Sequence, residues 1–193
     1  LGEERNVILL WLDCETTGLD PRADHILEVA YAIASLERPF EIGTVQEWQT
    51  SLPRAGWGAL TPFIREMHTK NGLLEDCASS VHGVYNIERA LLEIVPEIED
   101  KDERPTLAGA SVHFDLGFLR VHMPTIARRL SHRVYDTSAV KLFCRSLGMP
   151  KPPREEAHRA GADVLESVVH AKACADWLQY SFRSPSQVPR GLF

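Results

Sequence analysis

The hydrophobic positions along this chain fall into separated blocks, and their spacing shifts from strand-like at the start to helix-like at the end. Residues 7–14 are apolar almost throughout, and 26–34 are rich in branched and apolar side chains; both predict strands, with a third over roughly 41–49. Between the first two, "TTGLDPRADH" carries Gly18 and Pro21 and reads as a turn, so the chain opens as an antiparallel hairpin. Thr61-Pro62 reads as an N-cap followed by proline at the first helical position, opening a short helix towards Met67. After a loop containing Gly72, Asn86 is placed to cap "IERALLEIVPEIED". There Ile87, Ala90, Leu91, Ile94, Val95 and Ile98 form one apolar stripe, kinked at Pro96.

The second half alternates in type. Residues 106–110 predict a short strand, 114–123 a helix, 133–137 a strand, and 138–147 a helix closed by Gly148. "PKPPREE" interrupts the chain, and 160–182 then gives the strongest helical pattern, with Val164, Val168, Ala171, Ala175 and Leu178 on one face. Three strands followed by alternating helices and strands predict an α/β fold, a mixed five-stranded sheet with helices on both faces. The expected organisation is one domain over 1–182 and a loose tail over 183–193.

Composition changes this picture little. At 193 residues, 44% hydrophobic and 25% charged, the chain is an ordinary globular sequence able to bury a substantial core. No apolar run approaches the length of a membrane span. No charged-then-apolar leader opens it, although Leu1 leaves a trimmed start open, and the expected setting is cytoplasmic. Cys14, Cys77, Cys144 and Cys174 are widely spread, which favours free thiols in a reducing compartment over a zinc cage. A net charge of −6 argues against coating a duplex through bulk electrostatics.

Chemistry enters where the first strand ends, in "VILLWLDCETTGLD". Asp13 and Glu15 are two apart, so on a strand their carboxylates project from one face and can reach one point. Like charges that close repel unless a cation neutralises them, and hard oxygen ligands suit Mg²⁺ or Mn²⁺. An isolated Asp-x-Glu is also a common solvated strand rim. In "LAGASVHFDLGFL", Asp115 enters a helix, where an acid also simply complements the helix dipole. In "HRAGADVLES", His158 precedes Asp163 by five residues, about 140° apart on a helix. The two converge only if His158 lies in the lead-in while Asp163 points inward from the helix proper.

These three stretches, in this order, resemble the motifs of the DEDD exonuclease superfamily in its histidine-containing branch. "MHTKNGLLEDCASS" and "HRVYDTSAVKLF" are further similar to segments of the oligoribonuclease family, and the likeness covers nearly the whole chain. The resemblance implies a ribonuclease-H-like fold, homodimers, and 3′→5′ removal of nucleotides from short single-stranded RNA with two divalent cations, Mg²⁺ or Mn²⁺. It implies that Asp13, Glu15, Asp115 and Asp163 hold the metals, that His158 is the general base, and that nucleoside 5′-monophosphates are released.

It also implies substrate contacts. Thr16, Gly18 and Leu19 face the terminal nucleotide, with Leu19 as a wedge between the last two bases, and His68 belongs to the same set. Phe63 stands where the family carries a Trp that stacks on a base; helix core is the other reading of Phe63. Ser111, His132 and Arg133 match positions that gather the 5′-end phosphate, the last two from the partner subunit. Ala110 and His132 depart from the family's usual Asn and Tyr, which bears on substrate length rather than on metal chemistry. The alternatives are a broader exonuclease on single-stranded DNA or RNA, and a non-enzymatic nucleic-acid scaffold. The first would need a basic or aromatic channel, and no such cluster is visible in the sequence.

Overall fold

The computed structural model describes residues 7–153 and 157–183. Its elements are β1 (Ile8–Thr16), β2 (Ile26–Ser35), β3 (Gln46–Gln49), a 3₁₀ segment (Arg54–Ala59), α1 (Pro62–Lys70), α2 (Leu73–Ser79) and α3 (Val84–Ile94). There follow β4 (Thr106–Gly109), α4 (His113–His122), α5 (Pro124–Arg129), β5 (Val134–Asp136), α6 (Thr137–Ser146) and α7 (Ala160–Arg183). Of the tail expected at 183–193, Arg183 still belongs to α7 and the rest lies outside the described residues. Among the described residues no helix is long and apolar enough to cross a membrane.

The five strands form one mixed sheet in the order β3-β2-β1-β4-β5. β1, β2 and β3 pair antiparallel, whereas β4 lies parallel to β1 and β5 parallel to β4. β1 is apolar at nearly every position because both its faces are covered. Leu10, Leu12 and Cys14 pack towards α3, α4 and α5 through Ile87, Leu91, Phe118 and Ile126. Leu9 and Trp11 face the other way, onto Ala160, Val164, Val168 and Ala171 of α7. The period of two then puts Asp13 and Glu15 on the α7 face. Close pairing demands a glycine at Gly109, where a Cβ would stand 2.7 Å from the Leu12 carbonyl oxygen.

The helical stripe of α7 runs through Val164, Val168, Ala171 and Cys174, all buried. Thr61 caps α1 as expected, its Oγ1 accepting from Ile64 N at 3.3 Å. Three readings need correction. The third strand is only Gln46–Gln49, because Phe40, Ile42 and Val45 pack onto the α7-side core instead of pairing. Asn86 is not the N-cap of α3; Gly83 is, and Asn86 reaches back from the third position to accept from Gly83 N at 2.9 Å. Pro96 kinks nothing, since α3 has already ended at Ile94. The 3₁₀ segment, α2 and α5 leave no periodic trace in the sequence; each is seven residues or fewer, too short to establish a period.

Candidate active site

Because β1, β4 and β5 run parallel, their C-terminal ends share one rim of the sheet. Asp13 and Glu15 approach that rim on β1, and Asp163 descends onto it from the first turn of α7. One carboxylate oxygen from each of the three lies within 4.8 Å of the others. Asp115, in the first turn of α4, is buried beneath them and tied to the same strand: its Oδ1 accepts from Cys14 N at 2.9 Å.

The electrostatics follow from crowding. Burial, then the charges of Asp115, Asp163 and Glu15, push the Asp13 carboxyl well above the usual carboxylate range. Burial raises Glu15 to about 8, reinforced by the charges of Asp163 and Glu28 and by a hydrogen bond with Asp163. Burial likewise raises Asp115 to about 7, although the bond from Cys14 N works against it. Acids crowded this closely form a cradle that a hard divalent cation would relieve, and their oxygen-only donor set fits such an ion.

His158 stands two residues before the start of α7, in the left-handed region at φ 48°. That lead-in position is what the five-residue spacing to Asp163 requires. His158 and Phe63 line one cleft of about 430 Å³ together with Glu66, Met67, Lys70, Asn71 and Ala157. Phe63 is 70% exposed, which excludes the helix-core reading. His68 is 0% exposed on the opposite side of α1, with neither ring nitrogen hydrogen-bonded and its Nε2 3.7 Å from a Glu15 oxygen. Burial, then the neighbouring His158, lowers its pKa to about 4, so it is neutral at pH 7.

The loop after β1 is stiff. Thr16 is buried, its Oγ1 donating to Gly18 O at 2.6 Å, and Asp24 accepts from Thr17 Oγ1 at 3.1 Å and from Asp20 N at 2.9 Å. A side chain at Gly18 would run into that Asp24 carboxylate, at 2.4 Å. Leu19, by contrast, projects from the loop 83% exposed. Ser111 lies at the carboxylate rim after β4, its N–H donating to Asp136 Oδ1 at 3.1 Å and its hydroxyl 3.1 Å from that of Ser138. His132 and Arg133 are not brought to this rim. They precede β5 at the opposite end of the sheet, exposed, with Arg133 paired to Asp102 at 2.6 Å.

Two features escaped the linear reading. Lys101, Arg104, Arg120, Arg128 and His132 gather around a hollow of about 300 Å³, so a basic cluster exists after all. It is assembled from three separate segments, which a single pass along the sequence cannot join. The other feature is Glu28, fully buried on β2 directly opposite Glu15 and bound by Arg159. A lone acid inside the apolar run "ILEVAYAIAS" was its only signal.

Comparison with known proteins agrees with this geometry. The exonuclease family model matches residues 10–169. An oligoribonuclease of Mycobacterium sp. (strain KMS) is 31% identical over 168 residues, covering 85% of this chain and 78% of the relative. That of Mycobacterium tuberculosis (strain ATCC 25177 / H37Ra) is 29% identical over 164 residues, covering 83% and 76%. Among solved structures, the exonuclease I of Methylocaldum szegediense superposes with a TM-score of 0.68 at 17% identity, covering 92% of this chain and 43% of that one. The zinc-bound complex of E. coli exonuclease I with single-stranded DNA gives 0.65 at 16%, covering 92% and 43%. The RNase domain of yeast Pop2 gives 0.64 at 14%, covering 97% and 81%. The chain thus spans less than half of the two exonuclease I chains but about three quarters of the mycobacterial relatives. At such low identity the structural likeness fixes the ribonuclease-H-like fold, and the family match with the 31% relative fixes the family. The chain belongs to the exonuclease family, with oligoribonucleases as its sequence relatives.

Proposed function

We propose that this protein is a 3′→5′ exoribonuclease that degrades short single-stranded RNA, down to dinucleotides, to nucleoside 5′-monophosphates. The observation that carries the reading is the convergence of Asp13, Glu15 and Asp163 beside a cleft lined by both His158 and Phe63. Asp13, Glu15, Asp115 and Asp163 would hold two divalent cations, Mg²⁺ or Mn²⁺. Those ions, when bound, supply charge neutralisation at the phosphoryl oxygens and for the departing 3′ oxyanion. His158 takes the proton from the attacking water as general base. Phe63 stacks on a base, Leu19 separates the last two bases, and the held loop of Thr16 and Gly18 carries the terminal nucleotide. His68 supports this wall from behind Glu15.

Ser111 receives the 5′-end phosphate, and His132 and Arg133 join it from a second copy of the chain. Supporting a homodimer are the exposed Leu142 and Phe143 on α6 and Leu165 and Val169 on α7, an apolar set on two helices that pack together. Four free buried cysteines fit a cytoplasmic setting.

One observation favours a second reading, exonuclease action on longer single strands: the basic hollow of Lys101, Arg104, Arg120 and Arg128. A product ladder separates the two. With 5′-labelled oligonucleotides of two and of seven residues, RNA and DNA, in Mg²⁺ or Mn²⁺, the expected result is a strong advantage for the two-residue RNA. Equal trimming of long DNA supports the second reading, and no cleavage of any substrate sinks both.

A further inference from the structure

His158 has a backbone that ordinary side chains avoid, at φ 48°. Such a residue keeps its conformation only where its surroundings over-determine it. Here the surroundings are specific. Asn71, which ends α1, donates its side-chain amide to the carbonyl oxygens of both Ala157, at 3.3 Å, and His158. Arg159, the next residue, turns its guanidinium onto buried Glu28: Nε lies 3.3 and 3.2 Å from the two carboxylate oxygens, and Nη2 lies 2.8 Å from Oε1. The same guanidinium reaches Asp76 Oδ2 at 2.9 Å and Asn71 O at 3.3 Å.

Glu28 has two further bonds. Its Oε2 accepts from Ala160 N, the first residue of α7, at 2.8 Å, and its Oε1 accepts from Gln49 of β3 at 2.7 Å. Burial pushes the Glu28 carboxyl up, but the bonds from Arg159, Gln49 and Ala160 outweigh it and hold the group below its ordinary value. A fully buried charge with Arg and two other donors is a rigid anchor, since removing any partner strands the rest.

The anchor is well placed. Glu28 sits opposite Glu15 in the β1–β2 register, so it shares a frame with the carboxylate cradle. From that frame it fixes the start of α7, and Asp163 follows one turn on, its N–H donating to Arg159 O at 3.0 Å. Asn71 also lines the cleft shared by Phe63 and His158.

We propose that Glu28, Arg159 and Asn71 form a positioning clamp that aims His158 at the carboxylate cradle and locks the base to the wall bearing Phe63. The inference rests on His158 being the general base. None of the three clamp residues acts on substrate itself; each acts through His158 and the start of α7.

The test is a double-mutant cycle on the full chain with a dinucleotide RNA substrate in Mn²⁺. Arg159→Lys keeps the charge but loses the planar fork. We expect kcat to fall about 10–100-fold, with KM within about twofold and the melting temperature near that of the parent. In a His158→Ala background the same substitution should cost far less, because the group being aimed is gone and only the seat of Asp163 is disturbed. Equal losses in both backgrounds, or a parental kcat in Arg159→Lys, overturn the clamp. Should Arg159→Lys fail to fold, Asn71→Ala replaces it in the same cycle and is judged by the same outcomes. The reading beneath fails separately: a His158→Ala protein with parental turnover removes the base, whatever the clamp variants do.

Discussion

Asp13 and Glu15 owe their character to position: adjacent alternate sites on a buried strand, pressed against Asp163 and Asp115. Replacing Asp13 with Asn removes a repelling charge from that crowd while keeping its shape. Asp13→Asn should therefore abolish turnover yet leave the metal-free protein at least as resistant to heat as the parent at pH 8, as followed by calorimetry in a chelator. A melting temperature that drops would mean that the acid is structural. His158→Ala should lower kcat by about 10²–10⁴-fold, the usual worth of a general base. Phe63 makes a different prediction because it is exposed. Losing one stacked base costs about 1–3 kcal/mol, so Phe63→Ala should raise KM for dinucleotide by about 5–150-fold with stability unchanged, and Phe63→Trp should restore it. At this scale Asp13 and Glu15 were legible because strand period alone puts them on one face, and motif order supplied Asp115, His158 and Asp163. Glu28 and Arg159 were not, since their bond spans 131 positions and neither residue type signals the other. His68 shows the same limit: its type was visible, its complete burial behind Glu15 was not.

Among the elements, length decides what could be read. β1, β2 and α7 are long enough for their patterns to fix their existence; β1 carries Asp13 and Glu15, and α7 carries Asp163. The 3₁₀ segment and α5 have six residues each and α2 has seven; their places come from packing partners far away in sequence. The pairing of β4 with β1 is the least forgiving joint, because it aligns the strand end from which Ser111 and Asp115 emerge. Gly109→Ala would force a methyl group towards the Leu12 carbonyl oxygen, 2.7 Å away, and against Val112 Cγ1, 3.1 Å from the same methyl position. Overpacking of this kind costs about 1–3 kcal/mol. The urea midpoint should fall accordingly with an unchanged slope, and kcat should fall with it as β1 and α4 move apart. An unshifted midpoint would show that the sheet opens there at no cost.

The molecule as a whole carries −6, and part of that charge is crowded into the buried acid cluster on β1. Glu15 at about 8 and Asp115 at about 7 hold protons in the folded state that the unfolded chain releases near pH 4 to 4.5. Where the folded state binds more protons than the unfolded, stability falls as pH rises. The metal-free protein should therefore lose stability steadily from about pH 4.5 to pH 8, and flatten above. A divalent cation displaces those protons, so its affinity should rise across the same window. At about 100 times its Kd a ligand adds about 2.7 kcal/mol, or about 5–10 °C for a chain of this length. Melting in chelator and in Mn²⁺, from pH 5.5 to 8.5, should give two curves that diverge with pH and reach about that gap at the alkaline end. The gap should collapse in Asp13→Asn. Parallel curves would mean that the carboxylates are already ionised without the cation, and that the crowding on β1 is not what draws it in.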